Sequence, residues 1–250
     1  MGKRVKKRKK FKWCILSIIL FLVLLVAALF LTKKIRIAAL WANGYEVHGV
    51  DVSHYQGKID WHELAGQDID FAFIKATEGS THLDEQFARN WRNAPKEKIM
   101  VGAYHFFSFD SSGDSQAEWF IQNVGSLSGK LAPVVDAEYY GKMNENPPGE
   151  GVVRHNLQKI LSRLEGEYHI KPILYTTYSF YRKYIQGNFE GYPLWIRNVY
   201  YSPNLDFGSS WTFWQYTDRA ELSGYKGEEK YIDKNVFYGN REELKQYICP

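Results

Sequence analysis

Two acids two residues apart, Asp136 and Glu138, end the run LAPVVDAEYY over 131–140. Val134 and Val135, opened by Pro133 and followed by Gly141, predict a short buried strand that surfaces at its C-terminal end. Side chains at i and i+2 of a strand share a face, so both carboxyls project together. Crowded carboxyls are costly to ionise side by side. The chemistry that uses such a pair is general acid–base work at a sugar or an ester. A lone D-x-E is more often a solvated strand end, so its meaning rests on what the rest of the chain brings to it.

Other apolar runs predict strands at 47–52, 71–76, 99–107, 172–175, 194–197, 211–215 and 233–237. Helical spacing appears between the earlier ones, at 84–93, 115–124, 151–168 and 178–185. In the third of these, Val153, Leu157, Ile160, Leu161, Leu164 and Tyr168 fall on one face. Repeated β-α units imply a parallel sheet, and eight strands in about 200 residues suit closure into an α/β barrel. In such barrels the C-terminal strand ends carry the chemistry. Asp51, Glu78, His105, Asp136 and Glu138 all fall at or near those ends.

Composition limits the remaining options. Residues 1–12 hold eight Lys/Arg and no acid, and Lys33, Lys34 and Arg36 add three; the other 21 bases of the 32 face all 28 acids, leaving residues 37–250 at about −7. That balance excludes nucleic acid as a partner. The 19 residues of 13–31 carry no charge and as a helix would measure about 28 Å, which predicts a single transmembrane helix behind a basic cytoplasmic segment at 1–12. A stalk at 32–45 then leads to one globular domain at 46–250, outside the cell membrane. Cys14 sits at the entry of that span and Cys249 next to the last residue, where they cannot meet within one chain, so no internal disulfide is expected. His54 and His62 lack metal-ligand spacing, and neither a metal nor a cofactor is expected.

Seven blocks, in order, carry a resemblance. GVDVSHYQGKIDW at Gly49, FAFIKATEG at Phe71, GAYHFF at Gly102, PVVDAEY at Pro133, LWIR at Leu194, FWQY at Phe213 and DKNVF at Asp233 together resemble the glycoside hydrolase family 25 lysozymes. The resemblance implies an irregular TIM-like barrel of five β-α units and three further strands. It also implies cleavage of the β-1,4 bond between N-acetylmuramic acid and N-acetylglucosamine in peptidoglycan. By the same resemblance Glu138 is the general acid, Asp136 an ionised companion supporting the reacting sugar, and Asp51 and Asp233 the other two acids of the site. Tyr104, Tyr139, Tyr175, Trp195, Gln215 and Glu78 are the expected substrate-binding residues. Lys75 is expected to neutralise nearby acids, and His105 to be a satisfied barrel-end histidine.

The resulting expectation is a membrane-anchored bacterial muramidase acting on glycan strands within reach of its stalk, for local wall remodelling or for opening the wall to a wall-spanning assembly. An inactive glycan-binding barrel and a chitinase-like hydrolase are the alternatives. Because the sugar bears an acetamido group, substrate-assisted retention is the expected route, with inversion left open.

Overall fold

The structure of the protein is a computed structural model and describes residues 2–31, 36–208 and 210–250. The chain divides into two compact units, Met1–Ile37 and Ala38–Pro250. The first contains helix α1 (Gly2–Leu31), whose side chains from Trp13 to Val26 are exposed. Among the described residues no helix is long and apolar enough to cross a membrane. The structure therefore gives the expected span over 13–31 no support; the side chains of Ala27, Phe30 and Leu31, which belong to that span, lie outside those described.

The expected stalk at 32–45 also reads differently. Residues 32–35 lie outside the described residues, while α2 (Ala38–Ala42) already belongs to the second unit. Ala38 and Ala42 are buried against Leu194, Ile196, Trp214, Tyr216 and Val236.

The second unit is a closed barrel. Its strands are β1 (Val47–Val52), β2 (Phe71–Glu78), β3 (Met100–Phe106), β4 (Val134–Ala137), β5 (Ile173–Thr177), β6 (Leu194–Arg197), β7 (Phe213–Ala220) and β8 (Ile232–Phe237). From β1 to β7 each strand lies parallel beside the next. Strand β8 runs antiparallel between β7 and β1 and closes the ring. β7 runs five residues beyond its expected end because its hairpin partner β8 supplies hydrogen bonds as far as Ala220.

Helices α3 (Trp61–Ala65), α4 (Phe87–Asn93), α5 (Gly113–Val124) and α6 (Glu150–Tyr168) follow β1 to β4, and helical turns at 178–185 follow β5. α3 is short and was not apparent from periodicity. Its signal is a cap, since the Asp60 carboxylate accepts from the backbone N–H of His62 and Glu63. After β6 only the turn Asn204–Phe207 intervenes, and β7 and β8 form a hairpin, so the architecture is the expected five β-α units plus three strands.

Two apolar shells result from strand alternation. Outward residues such as Val50, Ile74, Val101, Val135 and Leu174 meet the helices, including Leu157, Ile160 and Leu161 of α6. Inward residues Phe71, Phe73, Val134, Ile173, Trp195, Phe213 and Phe237 fill the barrel. Two glycines make room for that filling. A Cβ at Gly49 would lie 2.5 Å from the Phe71 ring, and one at Gly102 would lie 2.8 Å from the Phe73 ring. Where β6, β7 and β8 lack helices outside, α2 covers them, with Tyr45 edge-on to Trp211 at 5.4 Å and to Trp214 at 6.2 Å.

Candidate active site

Continuing each inward row toward the C-terminal strand ends replaces carbon with polar atoms. Phe71 and Phe73 lead to Lys75, Val134 to Asp136 and then Glu138, Trp195 to Arg197, and Phe213 to Gln215. Strand register aligns these rows: Asp51 sits opposite Asp233, Asp136 beside Tyr175, and Gln215 opposite Asn235. A cavity of about 220 Å³ opens above the aromatic plug, lined by Asp51, Lys75, Tyr104, Asp136, Glu138 and Asp233, and also by Ser53, Tyr55, Gln56 and Glu229. All four acids expected from the sequence are thus brought together.

Asp51 is the most firmly held of them. Its Oδ2 accepts from Asn235 Nδ2 at 2.7 Å and from Gln215 Nε2 at 3.0 Å. Gln215 Nε2 also donates to Asp233 Oδ2 at 3.2 Å. Two aromatic donors orient these amides: Tyr175 OH donates to Gln215 Oε1 at 3.0 Å, and Trp195 Nε1 donates to Asn235 Oδ1 at 2.9 Å. Burying these partners forces full pairing, since an unpaired buried amide costs about 1–3 kcal/mol. Opposite them, Lys75 Nζ pairs with Glu78 at 2.7 Å and lies 5.0 Å from the centre of the Phe106 ring. Arg197 pairs with Asp218 at 2.6 Å.

The electrostatics follow from crowding and desolvation. Burial raises the Asp51 carboxyl, and the hydrogen bonds from Asn235 and Gln215 pull it back. Burial and then the charge of Asp51 drive Asp233 well above the usual carboxylate range. Glu138 is pushed up to about 7 by burial, against the opposing pull of Arg197 and Lys75. That value suits a group that must hold a proton near neutrality and then release it. Asp136 requires a correction. It was expected to stay ionised, but burial and then the neighbouring Glu138 charge push it well above the carboxylate range. Its Oδ1 is buried without a hydrogen-bond partner among the described residues, and the Lys75 charge alone opposes the rise.

The expected substrate-binding residues divide into three groups. Tyr104 lines the cavity. Tyr175, Trp195 and Gln215 also border it but are nearly buried, and their polar atoms are committed to the amide network behind the acids. Tyr139 and Glu78 do not line it. Tyr139 alternates to the outer face of the strand end and packs on Phe180 and Tyr184, at 5.3 and 5.9 Å between ring centres. Glu78 remains at the rim with Lys75.

His105 is buried and satisfied, between Thr77 Oγ1 at 2.7 Å and Gln116 Oε1 at 3.0 Å. Burial lowers its pKa to about 4. His54 and His62 pair with Asp84 at 2.8 Å and Glu97 at 3.0 Å. Sequence reasoning missed Asn235, although it shares a strand face with Asp233 two residues before. It also missed Glu229, which comes from the β7–β8 loop and has no local signal.

The sequence profile of Glycosyl hydrolases family 25 matches residues 50–225. The fold is similar to a family 25 glycosyl hydrolase from Bacillus anthracis, with a TM-score of 0.77, 51% identity, and coverage of 82% of this chain and 95% of that one. The sequence is 36% identical over 209 residues to the uncharacterized protein YegX of Escherichia coli K12, spanning 82% of this chain and 74% of YegX. It is 33% identical over 215 residues to lysozyme M1 of Streptomyces globisporus, spanning 79% of this chain and 70% of that protein.

Proposed function

The chain belongs to glycosyl hydrolase family 25, and from that membership we propose that it is a muramidase cleaving the β-1,4 bond after N-acetylmuramic acid in peptidoglycan, with Glu138 as general acid. The observation that carries this reading is Glu138 itself: a carboxyl held at about 7, over a cavity shared with Asp51, Asp136 and Asp233.

In the proposed reaction Glu138 gives its proton to the glycosidic oxygen as the bond to the anomeric carbon breaks. The acetamido oxygen of the same sugar bonds to that carbon, and Asp136 Oδ1, which has no hydrogen-bond partner among the described residues, accepts the acetamido N–H and steadies the ring that forms. Glu138, now a carboxylate, takes a proton from the incoming water, which opens the ring and regenerates the acid. Asp51, whose charged form the Asn235 and Gln215 hydrogen bonds favour, supplies negative charge that suits the positive charge developing on the sugar.

Release of muropeptides from purified peptidoglycan by the full chain, read by mass spectrometry with Glu138→Gln alongside, tests the assignment. Products ending in reducing N-acetylmuramic acid are expected from the wild type and none from the variant. Cleavage of chitin oligomers in place of peptidoglycan would overturn it. NMR of the first-formed anomer tests the route: retention is expected, and initial inversion rules out acetamido participation.

The placement of the enzyme is proposed from the sequence. The uncharged run at 13–31 behind eight basic residues supports an anchored protein with its barrel outside the membrane, acting locally on the wall for remodelling or to admit an assembly. Carbonate-resistant sedimentation, with the barrel open to added protease on intact wall-stripped cells, is the expected result; a freely soluble protein refutes it.

A further inference from the structure

We infer that Tyr139 and Tyr140 form a clamp that positions Glu138, with Tyr140 tied through the β3 loop to a buried Gln116–His105 pair. The inference rests on Glu138 being the acid of the proposed reaction. Glu138 lies just past the end of β4 (Val134–Ala137), beyond the last strand pairing at Ala137. The sheet alone therefore leaves its backbone unsupported, and the two tyrosines after it supply the support, both stacking on Phe109 of the loop after β3, Tyr139 at 6.4 Å and Tyr140 at 5.4 Å.

Tyr139 packs outward against Phe180 and Tyr184 of the helical turns that follow β5. Tyr140 directs its hydroxyl into the loop after β3. Its hydroxyl accepts from the backbone N–H of Phe109 at 3.0 Å, lies 3.2 Å from Ser108 Oγ, and donates to Asp110 at 3.2 Å. Its ring stacks on Phe109 at 5.4 Å, with 27° between planes, and tilts against Phe106 of the cavity wall at 5.6 Å. One hydroxyl thus engages three consecutive residues of one loop.

That loop is fixed from behind. Gln116 of α5, fully buried, accepts from the Ser108 N–H at 2.8 Å and donates to the Ser108 and Ser111 carbonyls, both at 2.9 Å. The orientation of its amide is in turn set by His105 Nε2 at 3.0 Å, whose other nitrogen meets Thr77 Oγ1 at 2.7 Å. A carbonyl oxygen at Gln116 accepting from Ser108 can also accept from His105, so His105 donates there as neutral imidazole and accepts the Thr77 hydroxyl proton. Its pKa of about 4 keeps it neutral, and the arrangement intact, across the working range. The chain of contacts runs from the barrel wall through α5 and the loop to the residue two beyond the acid. General-acid catalysis needs its proton within hydrogen-bond reach of the leaving oxygen, and small misplacement costs up to about a hundredfold in rate.

The test is Tyr140→Phe in the full chain, which keeps the ring and removes only the hydroxyl. Tyr192→Phe serves as a matched loss, since Tyr192 OH donates to Glu165 at 3.1 Å away from the cavity. Three readouts are taken: kcat and KM on peptidoglycan, the titration of carbon-13-labelled Glu138 by NMR, and amide exchange at 108–111 and 138–141. For Tyr140→Phe, kcat is expected to fall about tenfold with KM within about twofold. The Glu138 titration should move down from near 7, and exchange should quicken in both segments. Tyr192→Phe should change none of these. An unaltered Glu138 titration and kcat in Tyr140→Phe, with only the melting temperature lowered, overturns the clamp. The NMR and exchange readouts decide the question even where the wild type does not cleave peptidoglycan, so loss of the proposed function and loss of the clamp are separate outcomes.

Discussion

Replacing Glu138 with glutamine should abolish activity and, above neutrality, make the protein more stable. A carboxyl held at about 7 in the folded chain titrates near ~4.3 once unfolded. Between those values the folded state keeps a proton that the unfolded state has lost, so stability falls as pH rises through that window and levels off above it. The gap is worth roughly 3.7 kcal/mol at ~1.36 kcal/mol per pH unit. Glu138 is half-buried, and solvent screening reduces this to about 2 kcal/mol. At ~2–4 °C per kcal/mol for a chain of this size, Glu138→Gln should melt about 4–8 °C above wild type at pH 8. At pH 4.5 the gap should shrink to well under about 1 kcal/mol, because the folded side chain is protonated and roughly half of the unfolded one is too. Asp136, which Glu138's charge pushes up, adds in the same direction. Calorimetry of both proteins across pH 4.5–8.5 makes the comparison. A variant no more stable than wild type at pH 8 refutes the claim that burial raises this carboxyl.

Activity should follow the same group. With Glu138 titrating at about 7, kcat/KM is expected to fall about tenfold from pH 6 to pH 8, and a flat profile over that range removes Glu138 as the acid. Asn235→Leu takes the 2.7 Å donor from Asp51 and the acceptor from Trp195 Nε1; unfolding in urea should show a loss of about 1–3 kcal/mol, with activity falling too. Gly49→Ala would put a methyl 2.5 Å from the Phe71 ring and should cost about 1–3 kcal/mol, whereas Gly151→Ala, with open space around its Cβ position, should cost nothing by this mechanism.

Much of the barrel was legible because its strands are dense apolar runs that end in polar residues. The pattern 47–52, 71–76 and 131–140 reappears as β1, β2 and β4, with acids at their C-terminal ends. The four-acid constellation was legible for the same reason. What escaped was held by tertiary partners. Tyr139 sits beside Glu138 in sequence, yet strand alternation sends it to the opposite face, against Phe180 and Tyr184. Gln215 and Tyr175 read as ligands for a sugar, but their polar atoms are used on Asp51 and on each other. The charge state of Asp136 depends first on its burial in the closed barrel, and no local pattern encodes that. The Ala38–Ala42 helix carried no signal of its own because five residues do not make a periodicity.

That short helix also governs how the barrel bears mechanical load. Tension entering the second unit at Ala38 meets the contacts of Ala38 and Ala42 on β6, β7 and β8 first, and then Tyr45 wedged among Trp211, Trp214 and Tyr238. Only after both have yielded does the pull reach Val47 and the strand that carries Asp51. In a chain pulled from the side of Ala38, that turn of helix would give way before the strand carrying Asp51 is strained.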